Sequence, residues 1–250
     1  MLEIKNMLVF YENAIAVNDL SFTVNEGDII GIFGSNGAGK TTLMNTISGI
    51  TLHVKQRMQR EGGQHISIYG EQIFQGEDIS NKMPHYRVKK GIVLSRERHP
   101  VFRDLTVEDN LILGGFLIKD KQIIKESLAL IYEIFPALTR LKKRKAGFCS
   151  GGEQEMISIG MALAANPKLL LMDEPLLGLS PTAQDQVVQA LSAIQKLGLT
   201  ILLTEQYARP IMPYITYGYI IENGSLIMSG TREELMQNEE VLSAYFGVNK

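Results

Sequence analysis

Short apolar runs alternate along the chain with longer amphipathic stretches. Residues 29–33, 169–172 and 201–203 are almost wholly apolar, which is typical of strands buried on both faces of a parallel sheet. The stretch between the last two runs has apolar residues at helical spacing and is followed by Gly198, so it predicts a helix. Strand, helix and strand in this order indicate an α/β fold whose parallel sheet is covered by helices on both faces.

Three other regions have a different pattern. Residues 15–24 alternate in part between apolar and polar, as an antiparallel strand does. Residues 219–228 form two runs separated by Asn223 and Gly224, a dipeptide that favours a tight hairpin turn. Residues 107–141 carry a helical pattern, which predicts a helical insert between strands of the sheet.

Two stretches, residues 51–65 and 140–145, are polar and basic. Blocks of like charge usually face water, so we expect both to be solvent-exposed loops. The alternative is that they contact lipid headgroups or the anionic surface of a partner.

Composition limits the possible functions. The 250 residues are 45% hydrophobic, enough to bury the core of a large domain, and the formal net charge of −2 disfavours a nucleic-acid partner. The single cysteine, Cys149, excludes an intrachain disulfide and favours a reducing compartment. No apolar run approaches the roughly 20 residues that span a bilayer, so a membrane role requires a partner.

A glycine-rich loop follows the first apolar run and precedes a helical pattern. The glycines let backbone N–H groups converge on phosphate oxygens, and the helix N-terminus adds a positive dipole. Lys40 is placed to reach the β- and γ-phosphates of ATP, and the Thr41 hydroxyl to bind Mg²⁺. A glycine-rich turn with an incidental lysine is the alternative. The expected nucleotide-binding residues are Gly34, Ser35, Asn36, Gly37, Ala38, Gly39, Lys40, Thr41 and Thr42.

An acidic pair, Asp173 and Glu174, directly follows the second apolar run. Ligands bind at the carboxyl ends of parallel strands, so Asp173 is placed to hold Mg²⁺. Glu174 is placed to polarise the water that attacks the γ-phosphate. Acidic residues also occur as caps at the start of helices, so the pair alone does not indicate catalysis. Its combination with the glycine-rich loop favours the catalytic interpretation.

With these residues in place, Ser150, Gly151, Gly152 and Glu153, at the start of a predicted helix, resemble the signature of ATP-binding subunits of ABC transporters. The resemblance implies a P-loop NTPase with a RecA-like parallel sheet core, an antiparallel β arm and an inserted helical subdomain. We expect a single nucleotide-binding domain, with core and arm at residues 1–95 and 166–250 and the helical subdomain at about 96–165.

The same resemblance implies partners. In the family, the signature binds the γ-phosphate of ATP held by a second ATPase subunit, so it implies a dimer, as either a homodimer or a heterodimer. It further implies integral membrane permease subunits as partners, and therefore a peripheral location on the cytoplasmic face of the membrane. Tyr11 matches the aromatic residue that stacks on adenine.

Two positions depart from the general family pattern. Glu97 stands where the family has a glutamine near Mg²⁺ and the attacking water, and Gln206 stands where it has a histidine near the γ-phosphate. We expect both residues in the catalytic site, with Glu97 also near the metal. The departures motivate a rival function, an ATP-gated dimerising module that hydrolyses little ATP.

The finer resemblance lies in residues 101–111 and 204–206, which are similar to the branch that imports branched-chain amino acids. The ATPase of lipopolysaccharide export is a near relative of that branch. The expected function is therefore ATP hydrolysis that drives import of branched-chain or other amino acids, with lipopolysaccharide export as the alternative. A family member acting on DNA or ribosomes would usually have tandem cassettes or a long coiled-coil insert, and the chain has neither pattern.

Overall fold

The computed structural model describes residues 1–98, 101–238 and 245. The strands are β1 (Leu2–Tyr11), β2 (Ala14–Val24), β3 (Ile29–Phe33), β4 (Ile66–Phe74), β5 (Glu77–Asp78), β6 (Ile92–Ser95), β7 (Leu169–Asp173), β8 (Thr200–Glu205), β9 (Tyr217–Glu222) and β10 (Ser225–Thr231). The α-helices are α1 (Lys40–Ile47), α2 (Ile50–Glu61), α3 (Pro84–Lys90), α4 (Val107–Gly114), α5 (Lys121–Ile134), α6 (Pro136–Thr139), α7 (Gly151–Ala164), α8 (Pro181–Lys196) and α9 (Arg232–Gln237).

The central sheet has the strand order β10-β9-β3-β8-β7-β6. All of its pairs are parallel except β9–β10, and the three apolar runs of the sequence are the adjacent, fully buried strands β3, β8 and β7. The predicted parallel sheet is therefore confirmed. Its strand order places the carboxyl ends of β3, β8 and β7 side by side at one edge.

Side chains of β3 alternate between two hydrophobic cores. Ile30 and Ile32 pack with α1 and the β1–β2 region, whereas Ile29 and Phe33 pack with the core that contains α7 and α8. Burial on both faces explains why this strand is apolar at every position rather than at alternate ones.

The second sheet is antiparallel, in the order β2-β1-β4-β5. The strand predicted at residues 15–24 lies within β2 and is confirmed. The β9–β10 hairpin is confirmed as well: Asn223 and Gly224 both have positive φ, at 49° and 80°, as a tight hairpin turn requires.

Helices α4, α5 and α6 lie between β6 and β7 along the chain, and α4 and α5 pack on α7. The helical pattern at residues 107–141 is therefore confirmed, although it is divided into three helices. One break follows Gly114, and another occurs at Phe135 and Pro136, where the proline begins the next helix.

The loop predicted at residues 51–65 is wrong over most of its length, because residues 50–61 form α2. Buried Thr51 accepts a hydrogen bond from the Thr46 hydroxyl at 3.0 Å, and the helix contacts α1 and β4. Apolar residues do recur at a four-residue spacing, at Ile50, Val54 and Met58, but the polar and basic residues between them favoured the loop interpretation. The loop predicted at residues 140–145 is confirmed as a largely exposed turn. Within the described ranges, no helix has the length and hydrophobicity needed to cross a membrane.

Candidate nucleotide-binding site

The glycine-rich loop connects β3 to α1 and leaves no room for a side chain at Gly39. Gly39 has φ 101°, and a Cβ placed there would lie 2.3 Å from the backbone oxygen of Ala16. The loop is also tied to the β9–β10 hairpin, because the Gly224 N–H donates to the Ala38 carbonyl at 3.0 Å. These contacts explain why glycine is needed at this position.

Lys40, the first residue of α1, points back into the loop. Its Nζ donates to the carbonyls of Gly34 at 2.7 Å and Ser35 at 3.0 Å. It also lies 2.9 Å from Oε1 of Glu174, and both charged side chains are almost completely buried. The lysine of the loop and the glutamate of the acidic pair are thus in direct contact.

The acidic pair lies where β7 ends beside β8. Thr204 bridges the two residues: its hydroxyl donates to Asp173 Oδ1 at 2.8 Å and accepts from the Glu174 N–H at 3.1 Å. Glu174 has φ 48°, in the left-handed region that non-glycine residues seldom adopt. The bonds to Thr204 therefore stabilise a costly backbone conformation that directs the carboxylate towards Lys40.

Asp173 and Thr41 suit a hard cation. The Thr41 hydroxyl hydrogen-bonds to the Asp173 carboxylate, so the two predicted Mg²⁺ ligands are neighbours. Burial raises the pKa of Asp173 above its usual value, and the hydrogen bonds from Thr204 and Thr41 oppose that rise. A buried carboxylate and a hydroxyl are the oxygen ligands that Mg²⁺ prefers when it arrives with phosphate.

A pocket of about 350 Å³ opens over these groups. It brings together the loop, Glu174 and the predicted catalytic residue Glu97, whose side chain is one-third exposed. The residues that line it are Ala16, Asn36, Gly37, Gly39, Lys40, Thr41, Thr42, Glu97, Arg98, Glu174 and Leu177.

The predicted signature begins α7, as expected. The Ser150 hydroxyl accepts from the Glu153 N–H at 3.3 Å and the Glu153 carboxylate accepts from the Ser150 N–H at 2.8 Å, which forms a capping box. Ser150 and Gly151 are exposed, whereas Gly152 is buried with a hypothetical Cβ 2.5 Å from Cβ of Ala183 on α8. Residues 150–153 are not in the lining of the pocket that contains Lys40.

Two other predicted site residues are also outside that lining. Tyr11 ends β1, half-buried against the hydrophobic core beside the antiparallel sheet. Gln206 follows β8 and is partly exposed, and its N–H donates to the carboxyl group of Glu205. The adenine-stacking role of Tyr11 and the γ-phosphate contact of Gln206 remain predictions.

Thr204 and Glu205 received no role from the sequence. Both are buried, and they contact the acidic pair and the turn that follows it. The sequence offered one signal, two polar residues at the end of an apolar strand and directly before Gln206. Their importance depends on β8 lying between β3 and β7, a long-range pairing that the local sequence pattern does not specify.

A sequence model of the ABC transporter family matches residues 17–177, which is more than half of the chain. This chain belongs to the ABC transporter family. The high-affinity branched-chain amino acid transport ATP-binding protein BraG of Pseudomonas aeruginosa is 34% identical over 247 residues, 99% of this chain and 100% of BraG. The lipopolysaccharide export system ATP-binding protein LptB of Escherichia coli is 32% identical over 245 residues, 97% of this chain and 95% of LptB.

Solved structures agree with this assignment. An ATP-binding cassette of an ABC transporter in its ADP conformation superposes with a TM-score of 0.82 at 27% identity, covering 98% of both chains. A nucleotide-free cassette from an ABC transporter gives a TM-score of 0.80 at 28% identity over 99% of both chains. The predicted fold is confirmed, and the chain is an ATP-binding ABC ATPase subunit.

Proposed function

We propose that this ABC ATPase subunit hydrolyses Mg²⁺-ATP in a site shared with a second subunit and thereby drives transport through membrane permeases on the cytoplasmic face. The observation that carries the proposal is the separation of two phosphate-binding features. Lys40 lines the pocket, whereas Ser150 and Gly151 are exposed at the N-terminus of α7 and are absent from that lining. An exposed helix N-terminus is suited to a phosphate presented by another chain.

Within the pocket, the nucleotide phosphates compete with Glu174 for Lys40. A triphosphate carries more negative charge than one carboxylate, so it attracts the ammonium group and releases Glu174 to orient the attacking water. Thr41 and Asp173 would hold Mg²⁺, and the ion would supply neutralisation of charge on the phosphate oxygens. Glu97 lines the same pocket and would contact the metal through water.

The remaining roles belong to residues outside the lining of the pocket. Gln206 hydrogen-bonds to the γ-phosphate, and Tyr11 stacks on adenine. The signature binds the phosphate of the partner's ATP through Ser150, Gly151, Gly152 and Glu153.

Two substitutions separate binding from turnover. Lys40→Ala removes the phosphate contact in the chain's own pocket, so we expect it to abolish ATP binding, measured with a fluorescent nucleotide. Ser150→Arg places bulk and charge at the signature, so we expect nearly unchanged ATP binding but no steady phosphate release. Equal loss of ATP binding in both variants would contradict a shared site.

For the transported compound, we propose import of branched-chain amino acids, as the name of BraG describes for that relative. Lipopolysaccharide export is the second candidate, because the identity of this chain to LptB, 32%, is only two percentage points below its identity to BraG, 34%. ATP-dependent leucine uptake into vesicles that contain the subunit with its co-purified permeases tests the first candidate. ATP-dependent release of lipopolysaccharide from the same vesicles, without leucine uptake, would support the second.

A further inference from the structure

Glu205, the last residue of β8, lies behind the nucleotide pocket and is only 5% exposed. Its Oε1 accepts the Leu176 N–H at 2.8 Å, and its carboxyl group also accepts the Gln206 N–H. One carboxyl group therefore binds the backbone of two segments. The first is the turn after Glu174, and the second begins at Gln206.

The first N–H groups of the turn after β7 donate to residues of β8. The Glu174 N–H is taken by the carbonyl and hydroxyl of Thr204, both at 3.1 Å. Pro175 has no N–H, and the Leu176 N–H is taken by Glu205. Glu174 has positive φ, so contacts with neighbouring residues are needed to hold its conformation. Glu205 supplies one of these contacts, to the backbone two residues after Glu174.

The charge state of Glu205 suits this arrangement. Burial raises its pKa to about 8, and nearby Glu174 adds to the rise, whereas the two backbone hydrogen bonds and Lys40 lower the pKa. The charged groups that face it are Glu174 and Lys40. A carboxyl that is mostly neutral at pH 7 accepts hydrogen bonds without adding a second negative charge beside Glu174.

We propose that Glu205 is a positioning residue for ATP hydrolysis, which holds the turn bearing Glu174 and the backbone of Gln206 in one fixed arrangement. The inference rests on the catalytic role proposed above for Glu174. Glu205 does not line the pocket, so it acts on the reaction through these two segments and through its charge state beside Glu174.

The test compares three variants of the full-length chain, with kcat measured by phosphate release and ATP affinity by titration. Glu205→Ala deletes the acceptor, so we expect kcat to fall about ten-fold or more while the Kd for ATP changes less than about three-fold. Glu205→Gln keeps a neutral acceptor and is expected to stay within about three-fold of the wild-type kcat at pH 7.

Thr200→Ala is the matched control, because it removes the hydrogen bond of another buried polar side chain in the same strand. The Thr200 hydroxyl accepts the Gly27 N–H at 2.9 Å at the opposite end of β8. We expect this variant to retain kcat. If it lost as much kcat as Glu205→Ala, the effect would be one of general stability and the proposal would fail.

The pH profile gives a readout independent of how well Glu205→Ala folds. In the wild type, ionisation above about pH 8 places a second charge beside Glu174, so kcat should decline there, whereas Glu205→Gln should show no such decline. An identical alkaline decline in both proteins would overturn the proposal. Glu174→Gln separates this inference from its premise: full turnover in that variant refutes the catalytic role of Glu174 on which the inference rests, whatever Glu205 does.

Discussion

At the scale of single residues, the pocket is organised by the buried ion pair of Lys40 and Glu174. Removing one member of such a pair usually leaves an uncompensated charge, which is strongly destabilising. Here the Lys40 ammonium also has the carbonyls of Gly34 and Ser35 as acceptors. A neutral side chain of the same shape at position 174 can therefore be accommodated, which makes Glu174 a suitable residue for a functional test.

We expect Glu174→Gln to fold and to bind ATP but to lose turnover. The amide keeps an acceptor for Lys40 and cannot take a proton from the attacking water, so kcat should fall by about 10² or more. Phosphate release under saturating ATP and a parallel ATP titration measure the two properties. Steady release at the wild-type rate would favour a different base and would weaken the assignment of the acidic pair.

At the scale of elements, the predictable parts were those whose signal is local. Apolar runs predicted β3, β7 and β8, and the Asn-Gly dipeptide predicted the β9–β10 hairpin. Helix α2 was missed because its contacts with α1 and β4 stabilise a sequence rich in basic residues and poor in apolar ones. The same division holds for the site. The glycine-rich loop was predicted from the spacing of its residues, whereas no role was predicted for Thr204 or Glu205.

The contact between α7 and α8 gives an element-scale prediction. A Cβ at position 152 would lie 2.5 Å from Cβ of Ala183, so Gly152→Ala should destabilise the chain by about 1–3 kcal/mol through overpacking. Ala183→Gly removes the clashing atom and should recover part of that loss in the double variant. Urea unfolding of the four proteins measures the coupling. Strictly additive changes in the free energy of unfolding would show that positions 152 and 183 do not interact, which would contradict the predicted overpacking.

At the scale of the whole molecule, the parallel strand order explains why distant segments meet. The loop after β3, the acidic pair after β7 and Thr204–Glu205 on β8 lie at the carboxyl ends of three adjacent strands. The signature begins α7 and is not part of the pocket lining. The fold thus assembles one half of the proposed site within the chain and presents the other half at the surface, which leads to a test at the level of the dimer.

Mixing two inactive variants tests that arrangement directly. Lys40→Ala lacks a functional loop but keeps Ser150, whereas Ser150→Arg lacks a functional signature but keeps Lys40. A heterodimer of the two contains one complete site, formed by the loop of the second chain and the signature of the first. With random pairing of a two-fold dimer and independent sites, an equal mixture should recover about a quarter of the wild-type phosphate release. Each variant alone is the control, and a mixture no more active than either would argue that each chain completes its own site.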